Sequence, residues 1–399
     1  MRSARLGLCG MVLLLAVAPA MAQKSYGPGV TDTEIKLGNT APYSGPVSAA
    51  STVAKSVAAY FDKINAEGGI NGRKINFITV DDGYAPPKTV EATRRLVESD
   101  QVLAFVGSVG TPPQLAVRKY LNDRKVPQLF VGSGSSLFHD AQSSPWSLGS
   151  SPSYEFEGRL DAKHFAQVLP GARVAVLSQN DDFGREFLRG FKAALPQGLT
   201  IVAEQTYETS DPTVDSQILA LKGSGATAFA LFATQKFAAQ AIRRAHEIDW
   251  KPKIILPGVI ASIGAVLTPA GIENSIGVIT ATTSKDSNDP RLQQDPGVAA
   301  YVEWFRKYNT KVDFRDSQAA QGGYIDAQLM VAILKACGNE ITRESVMRHA
   351  ASLKDIRLPI FIDGIAVNTT PTDYSLFRQL QFQSFNGKSW DLVGRIVSD

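Results

Sequence analysis

Two loops rich in glycine and hydroxyl groups are the segments best suited to bind a small ligand. The first, residues 107–113, contains Thr111. The second, residues 132–136, contributes three candidates, Ser133, Gly134 and Ser135. Glycines let backbone N–H groups approach a ligand closely, and hydroxyl groups donate or accept hydrogen bonds. The first loop also begins a predicted helix, whose dipole favours an anion. Together the loops predict a carboxylate site.

A structural alternative exists for each loop, because Thr111 and Ser135 have the residue types that cap helices. Each loop, however, follows a predicted strand, Val102–Val106 for the first and Gln128–Val131 for the second. In open parallel sheets, ligands bind beyond the carboxyl ends of the strands. Two such loops at neighbouring strand ends therefore favour ligand contact over capping.

Aromatic residues next to the predicted cleft offer an apolar wall for the same ligand. Most aromatic side chains are expected in the core. Tyr154 and Phe183 are the exceptions, because each follows a turn at the expected mouth of a second lobe. Thr234, after the predicted strand Ala228–Phe232, completes the candidate ligand contacts.

Motifs for other chemistry are missing from the sequence. No dinucleotide fingerprint, phosphate loop or nucleophile elbow is present, and the four histidines lack the spacing of metal ligands. We therefore expect no catalytic residues, no metal and no cofactor. The charges nearly balance, with 41 basic and 38 acidic side chains and no long run of either sign, so nucleic acid is not an expected partner.

The elements that position these loops follow an alternating pattern of short β-rich runs and amphipathic helices. This pattern predicts an α/β fold with parallel sheets covered by helices. One series of strands starts at Ile35 and a second starts at Arg173, with the Ser- and Pro-rich segment 141–152 between them. A chain of 399 residues is too long for one core. We therefore predict two lobes and a cleft between them.

The first 22 residues have the pattern of a cleavable secretory leader. Arg2 and Arg5 precede an apolar run over residues 11–18, and Ala20-Met21-Ala22 is a small-x-small cleavage site. No later segment is apolar enough to cross a membrane. We therefore expect an exported, periplasmic product. Export would leave Cys337 as the sole cysteine, which we expect to be buried and inert.

Seven segments together resemble the type I periplasmic binding proteins of the branched-chain amino acid ABC transporter family. The segment 64–73, Ile-Asn-Ala-Glu-Gly-Gly-Ile-Asn-Gly-Arg, is especially specific. The other segments with this resemblance are residues 35–46, 81–83, 126–130, 179–184, 210–215 and 364–369. The resemblance spans nearly the whole chain after the leader.

The resemblance implies a two-lobed Venus-flytrap fold with three crossings between the lobes. We expect residues 23–150 and 282–358 to form the N-terminal lobe, and residues 151–281 and 359–399 to form the C-terminal lobe. In that family a hydroxyl residue matching Thr111 and positions matching Ser133 and Ser135 hold the ligand carboxylate. An aromatic residue matching Phe183 covers the ligand. The implied partners are a membrane permease and an ATPase, served by a monomer.

One departure from the family concerns the ligand's ammonium group. Amino-acid binders of this family place an acidic residue in the loop after Pro257, but here the loop 258–262 reads Gly-Val-Ile-Ala-Ser. An ammonium buried without a counter-charge is costly. We therefore expect a partly apolar or aromatic carboxylate rather than leucine, isoleucine or valine. Asp211 and Glu155 remain alternative partners for an ammonium.

Two alternatives to this function stay open. An amino-acid binder of the same family, or a module that presents its ligand to a membrane receptor, would use the same fold. An exported enzyme would need a nucleophile and a base in the cleft, and the sequence indicates neither.

Overall fold

The computed structural model describes residues 24–399, so the predicted leader, residues 1–22, lies outside the described residues. The strands, in chain order, are β1 (Ser25–Tyr26), β2 (Glu34–Ala41), β3 (Lys74–Asp81), β4 (Ala104–Val106), β5 (Gln128–Val131), β6 (Ser147–Gly149), β7 (Arg173–Gln179), β8 (Thr200–Tyr207), β9 (Ala228–Phe232), β10 (Lys253–Ile255), β11 (Ile279–Thr282), β12 (Glu340–Ile341), β13 (Leu380–Phe385) and β14 (Trp390–Val397). The α-helices are α1 (Ser51–Ala66), α2 (Pro86–Glu98), α3 (Thr111–Asp123), α4 (Tyr154–Val168), α5 (Asp182–Ala193), α6 (Asp215–Gly223), α7 (Gln235–Glu247), α8 (Thr268–Ala270), α9 (Pro296–Tyr308), α10 (Ser317–Ala336) and α11 (Arg343–Ala350).

Two large sheets organise the described chain, one in each lobe. The first has the strand order β3-β2-β4-β5-β6, and all its pairings are parallel. The second has the order β14-β13-β11-β10-β9-β7-β8 and is parallel except for β13 and β14. The α/β fold predicted from the sequence is confirmed, and β13 and β14 form an antiparallel hairpin at the C-terminal end. No helix within residues 24–399 is long and apolar enough to span a membrane.

Local sequence signals fix several helix starts. Pro86 opens α2, because its missing N–H has no helical partner at that position in any case. Asp181 caps α5, where its side chain accepts a hydrogen bond from the backbone N–H of Gly184. Thr342 and Ser345 form a capping box at the start of α11.

The chain crosses between the lobes three times, as the change of hydrophobic core along the sequence shows. Leu148 packs in the first core and Tyr154 in the second, so the first crossing lies between them. Ala281 packs in the second core, and the backbone N–H of Lys285 bonds to Ile360 of the first lobe. Phe377 still packs in the first core, whereas Leu380 packs in the second.

The third crossing lies later than the boundary expected at residue 358. Residues 360–377 carry buried apolar side chains of the first core, among them Ile360, Phe361 and Leu376. Periodicity did not indicate this, because the segment contains no long helix or strand. Cys337 is buried behind the end of α10, as predicted.

Candidate ligand-binding site

A cavity of about 200 Å³ lies between the two lobes, at the carboxyl ends of the strands. Its apolar lining comes from both lobes and includes Val47, Val53, Val109, Phe183, Val259, Ile260 and Phe377. Its polar lining includes Thr111, Tyr154, Glu157, Thr234, Gln235, Gln318, Gln321 and Asp326. No lysine or arginine is among the described residues that line it. The volume is below the roughly 300–1,000 Å³ of sites for drug-sized ligands, so the cavity suits a small metabolite.

Thr111 lies where the sequence predicted it, at the first residue of α3 and on the cavity wall. Its Oγ1 is 2.8 Å from Ser133 Oγ and 3.3 Å from the Tyr154 hydroxyl oxygen. Each hydroxyl group has one proton to donate. The two contacts use two of the three protons, and when Thr111 or Tyr154 holds the third, that proton can be donated to an acceptor on a ligand. Burial raises the pKa of Tyr154 to about 12, which keeps this hydroxyl protonated.

Within the second predicted loop, Gly132 lines the cavity, whereas Ser133, Gly134 and Ser135 do not. Ser133 lies behind Thr111 and also accepts a hydrogen bond from the backbone N–H of Ser135 at 3.2 Å. Gly134 packs against Tyr154, where an added Cβ would lie 2.5 Å from the ring. Ser133 and Gly134 therefore support the wall rather than form it.

Ser135 bridges the two lobes instead. Its Oγ donates a hydrogen bond to Glu186 Oε1 at 2.7 Å, and the backbone N–H of Ser136 donates to Glu186 Oε2 at 2.8 Å. Burial raises the pKa of the Glu186 carboxyl, against the opposing effect of these two hydrogen bonds. This Ser135–Glu186 contact joins the two lobes, which the loop pattern did not indicate.

Tyr154 and Phe183 both line the cavity, but they also pack in the core of the second lobe, so the expectation that they lie outside the core is wrong. Their rings meet edge to face with centroids 5.2 Å apart, and Phe187 lies 4.6 Å from Tyr154 and 5.5 Å from Phe183. Close packing of α4 on α5 brings them together. An added Cβ at Gly158 would lie 2.5 Å from the Phe187 carbonyl oxygen, so only glycine permits this approach.

Thr234 also lines the cavity and is part of a buried network. Its Oγ1 donates to Gln179 Oε1 at 3.0 Å, and the Tyr207 hydroxyl donates to the same oxygen at 2.8 Å. The Gln179 amide then donates to the Tyr84 hydroxyl of the first lobe at 3.4 Å. Because Gln179 occupies the Thr234 proton, Thr234 offers a ligand an acceptor rather than a donor.

A carboxylate lies beside the loop that lacks an acidic residue of its own. Glu157 of α4 lines the cavity, and its Oε1 accepts a hydrogen bond from the backbone N–H of Gly258 at 2.6 Å. The expectation that no carboxylate is available at this loop is therefore wrong. The two alternatives named from the sequence are engaged elsewhere: Glu155 pairs with Arg189, and Asp211 accepts from the backbone N–H of Glu208.

Sequence reasoning missed Glu157, although a signal was present. Glu157 lies three residues after Tyr154 on α4, and residues three apart share a helix face. Burial raises the pKa of Glu157 to about 7. The neighbouring Asp161 is also buried, and its pKa is raised well above the ordinary value by burial and by Glu157.

One face of α10 forms a further part of the wall that the sequence did not reveal. It presents Gln318, Gln321 and Asp326, with Gly322 and Ile325 between them. The spacing of i, i+3 and i+8 places the three polar residues on one side of the helix. Polar residues on an otherwise buried helix face were the available signal. Among the described residues, no group of three or more His, Cys, Asp or Glu side chains is placed to share a metal ion.

Residues 34–387 match the profile of the family described as periplasmic binding protein. The chain belongs to this family. The fold and the resemblance predicted from the sequence are thus confirmed, and the protein is a periplasmic solute-binding protein of the ABC transporter type. Small-molecule binding and association with a transporter's membrane components are general properties of the family.

Curated relatives of this periplasmic binding protein are distant in sequence. It is 24% identical over 305 residues to Leu/Ile/Val-binding protein homolog 7 of Brucella abortus (strain 2308), covering 74% of this chain and 75% of the relative. It is 22% identical over 303 residues to the amino acid binding protein of Pseudomonas aeruginosa, covering 74% of this chain and 76% of the relative.

Solved structures share the fold of this periplasmic binding protein over almost its full length. A branched-chain amino acid ABC transporter structure from Thermus thermophilus with bound valine superposes with a TM-score of 0.82 at 20% identity, covering 93% of this chain and 98% of that one. A solute-binding protein from Rhodopseudomonas palustris BisB5 in complex with 3,4-dihydroxybenzoic acid gives 0.79 at 20% identity, covering 92% and 98%. At these identities the similarity shows the fold alone.

Proposed function

We propose that this periplasmic binding protein captures a small, partly apolar or aromatic solute bearing a carboxylate and delivers it to an inner-membrane permease and ATPase. One observation carries the proposal. A hydroxyl cluster of Thr111, Ser133 and Tyr154 retains one donor proton and stands beside the aromatic wall of Phe183. One carboxylate oxygen would accept that proton, and the hydrocarbon body would pack on the wall.

The donor set suits one carboxylate rather than a more highly charged anion. The dipole of α3 favours negative charge near Thr111. Pro112 and Pro113 follow it and carry no N–H group, so Thr111 supplies the one backbone donor of the first three helical residues. Burial of the apolar body contributes roughly 25 cal/mol per Å², which makes the wall the larger source of affinity.

A second candidate, an amino acid, is favoured by Glu157. Its carboxyl group lies at the cavity wall, and a ligand ammonium would stabilise its ionised form. Solved structures with this fold are described with bound valine and with bound 3,4-dihydroxybenzoic acid. A receptor-linked sensing role would use the same site and is the third candidate.

Further parts of the proposal concern location and assembly. We propose export by the leader in residues 1–22, action as a monomer in the periplasm, and no catalytic activity. Cell fractionation of the full-length chain tests the first point. A mature N-terminus after Ala22 in the periplasmic fraction supports export, and retention of the leader in the cytoplasm contradicts it.

A thermal-shift screen of carboxylates and amino acids tests the ligand class. A ligand that binds only the folded state stabilises it, by about 2.7 kcal/mol when the ligand concentration is 100 times its Kd. This stabilisation raises the melting temperature. We expect aromatic or branched aliphatic carboxylates to raise it. A screen in which sugars or cations shift the protein and no carboxylate does would overturn the proposal.

A further inference from the structure

Three acceptor atoms on the cavity-facing side of α10 lack any hydrogen-bond donor. They are the side-chain oxygens Gln318 Oε1, Gln321 Oε1 and Asp326 Oδ2. Gln321 and Asp326 are each 2% exposed, and all three residues line the cavity. A fourth unpartnered acceptor, Gln235 Oε1, lies on the wall contributed by the second lobe.

The orientation of Gln321 is set by a contact on its other side. Its Nε2 donates a hydrogen bond to the Lys285 carbonyl oxygen at 2.9 Å, so Oε1 is the atom left without a partner. A flip of the amide would remove that bond and place an N–H where an oxygen now stands. The lone acceptor is therefore a consequence of the surrounding backbone.

Buried acceptors without donors are costly, and native proteins contain few of them. Here several converge on one cavity, and no lysine or arginine among the described lining residues supplies a donor. A ligand that brings O–H or N–H groups to this wall recovers the cost. A site built to bond a ligand hydroxyl rejects an analogue without one far more strongly than an apolar pocket rejects an extra methylene.

We propose that Gln321 and Asp326, with Gln318 beside them, select a ligand that carries a neutral hydroxyl or amide donor in addition to its carboxylate. The carboxylate part rests on the proposed function. The two polar groups of the ligand then face different walls, the acceptor group facing Thr111 and the donor group facing α10.

A neutral donor fits this wall better than a cation. Both glutamine side chains are uncharged, and burial raises the pKa of Asp326 well above its ordinary value, which disfavours the ionised carboxylate. Burial also raises the pKa of Glu157, the other acid on the wall. A protonated carboxyl group offers one acceptor oxygen and one O–H, which matches a hydroxyl or an amide.

Matched acids test the proposal by calorimetry on the full mature chain. One series is benzoate with its three monohydroxy isomers, and the other is hexanoate, 6-hydroxyhexanoate and 6-aminohexanoate. Benzyl alcohol and 1-hexanol supply a donor without a carboxylate. We expect at least one hydroxylated acid to bind at least about tenfold more tightly than its parent acid. We also expect 6-hydroxyhexanoate to bind more tightly than 6-aminohexanoate.

Substitutions on α10 must then remove this preference. Gln321→Leu and Asp326→Leu should bring the ratio of hydroxylated to parent acid close to one. Asp326→Asn should keep most of it, since an amide also offers an acceptor and a donor. In the ligand-free protein, Asp326→Leu should raise the melting temperature, which shows that the variant folds. Gln383→Leu is the control, because Gln383 is equally buried and lies off the cavity lining.

The outcomes separate this inference from the proposed function. If parent acids bind as tightly as hydroxylated ones, the donor site is wrong and the carboxylate proposal stands. If the alcohols bind and no acid does, the carboxylate proposal fails and the donor site stands. If 6-aminohexanoate binds tightest and Asp326→Asn abolishes its binding, the wall selects a cation and the inference is overturned. If no compound of either series binds, both are overturned.

Discussion

Glu157 of α4 accepts a hydrogen bond from the backbone N–H of Gly258, with 2.6 Å between Oε1 and the nitrogen. The contact places a carboxyl group at the mouth of a loop whose own sequence contains no acid. Position in space, rather than position in the chain, thus brings an acidic side chain to this part of the cleft. It also couples the cavity to pH, because the carboxyl is buried.

Glu157→Gln should make the protein more stable than wild type as the pH rises. Burial raises the folded-state pKa of Glu157 to about 7, so the carboxyl is protonated when folded while the unfolded chain ionises near its ordinary value. The folded state then loses stability as pH rises between about 4.5 and 7. Each pKa unit corresponds to about 1.4 kcal/mol, so the difference should approach roughly 3 kcal/mol.

Thermal melts of both proteins across pH 4 to 8 measure this effect. The melting temperature of Glu157→Gln minus that of wild type should increase through this window and level off above it. Titrating groups that do not interact with Glu157 cancel in the difference, whereas Asp161, whose pKa Glu157 raises, contributes to it. A difference that stays constant with pH would show that Glu157 does not titrate as its burial requires.

Thr111→Val should weaken binding of a carboxylate ligand at least about tenfold. The change removes one hydroxyl from the cluster with Ser133 and Tyr154, and a hydrogen bond to a charged group is worth roughly 1.5–3 kcal/mol. Calorimetry with the best acid from the thermal-shift screen measures the loss. Thr93→Val is the control, since Thr93 is buried in α2 with no partner for its hydroxyl. If both variants bind the acid with equal affinity, the ligand carboxylate is not bound by Thr111.

Glu186→Gln should weaken ligand binding, although Glu186 does not line the cavity. Glu186 joins the lobes by accepting from Ser135 and Ser136, and the amide would lose one of these acceptors. The open population should grow, which lowers the apparent affinity. Glu155→Gln is the matched control, because Glu155 pairs with Arg189 within the second lobe. Unchanged dissociation kinetics in Glu186→Gln would exclude this contact from closure.

Small-angle scattering should show a smaller radius of gyration when a verified ligand is added at saturation. The closed arrangement described here has polar contacts across the cleft, among them Ser262 Oγ to Asp316 Oδ1 at 2.5 Å. A ligand that touches both lobes favours this state by its differential affinity. An unchanged profile with bound ligand would indicate a rigid cleft.

The fold was predictable from the sequence because the alternating strands and helices and a family-specific segment agree. Thr111, Tyr154, Phe183 and Thr234 were predictable as cavity residues because they follow strands or turns at the open edge of a sheet. Local chemistry and topology specify such positions without knowledge of the partner lobe.

The remaining parts of the site depend on how the lobes meet. Ser135 has the residue type of a ligand contact, but Glu186 lies close enough to bind it. Asp326 and Gln321 lie on α10, which the chain forms only after it has crossed back to the first lobe. They are therefore far from Thr111 in the sequence, and no local pattern links them to it. The third crossing was misplaced for a similar reason, since residues 360–377 pack as an irregular segment.

A crystal structure with the carboxylate that gives the largest thermal shift would show where the ligand binds. We expect the ligand between the lobes, with a carboxylate oxygen within hydrogen-bond distance of Thr111 Oγ1 or the Tyr154 hydroxyl and its hydrocarbon body against Phe183. A ligand bound outside this cavity, or one whose carboxylate faces away from Thr111 and Tyr154, would contradict it.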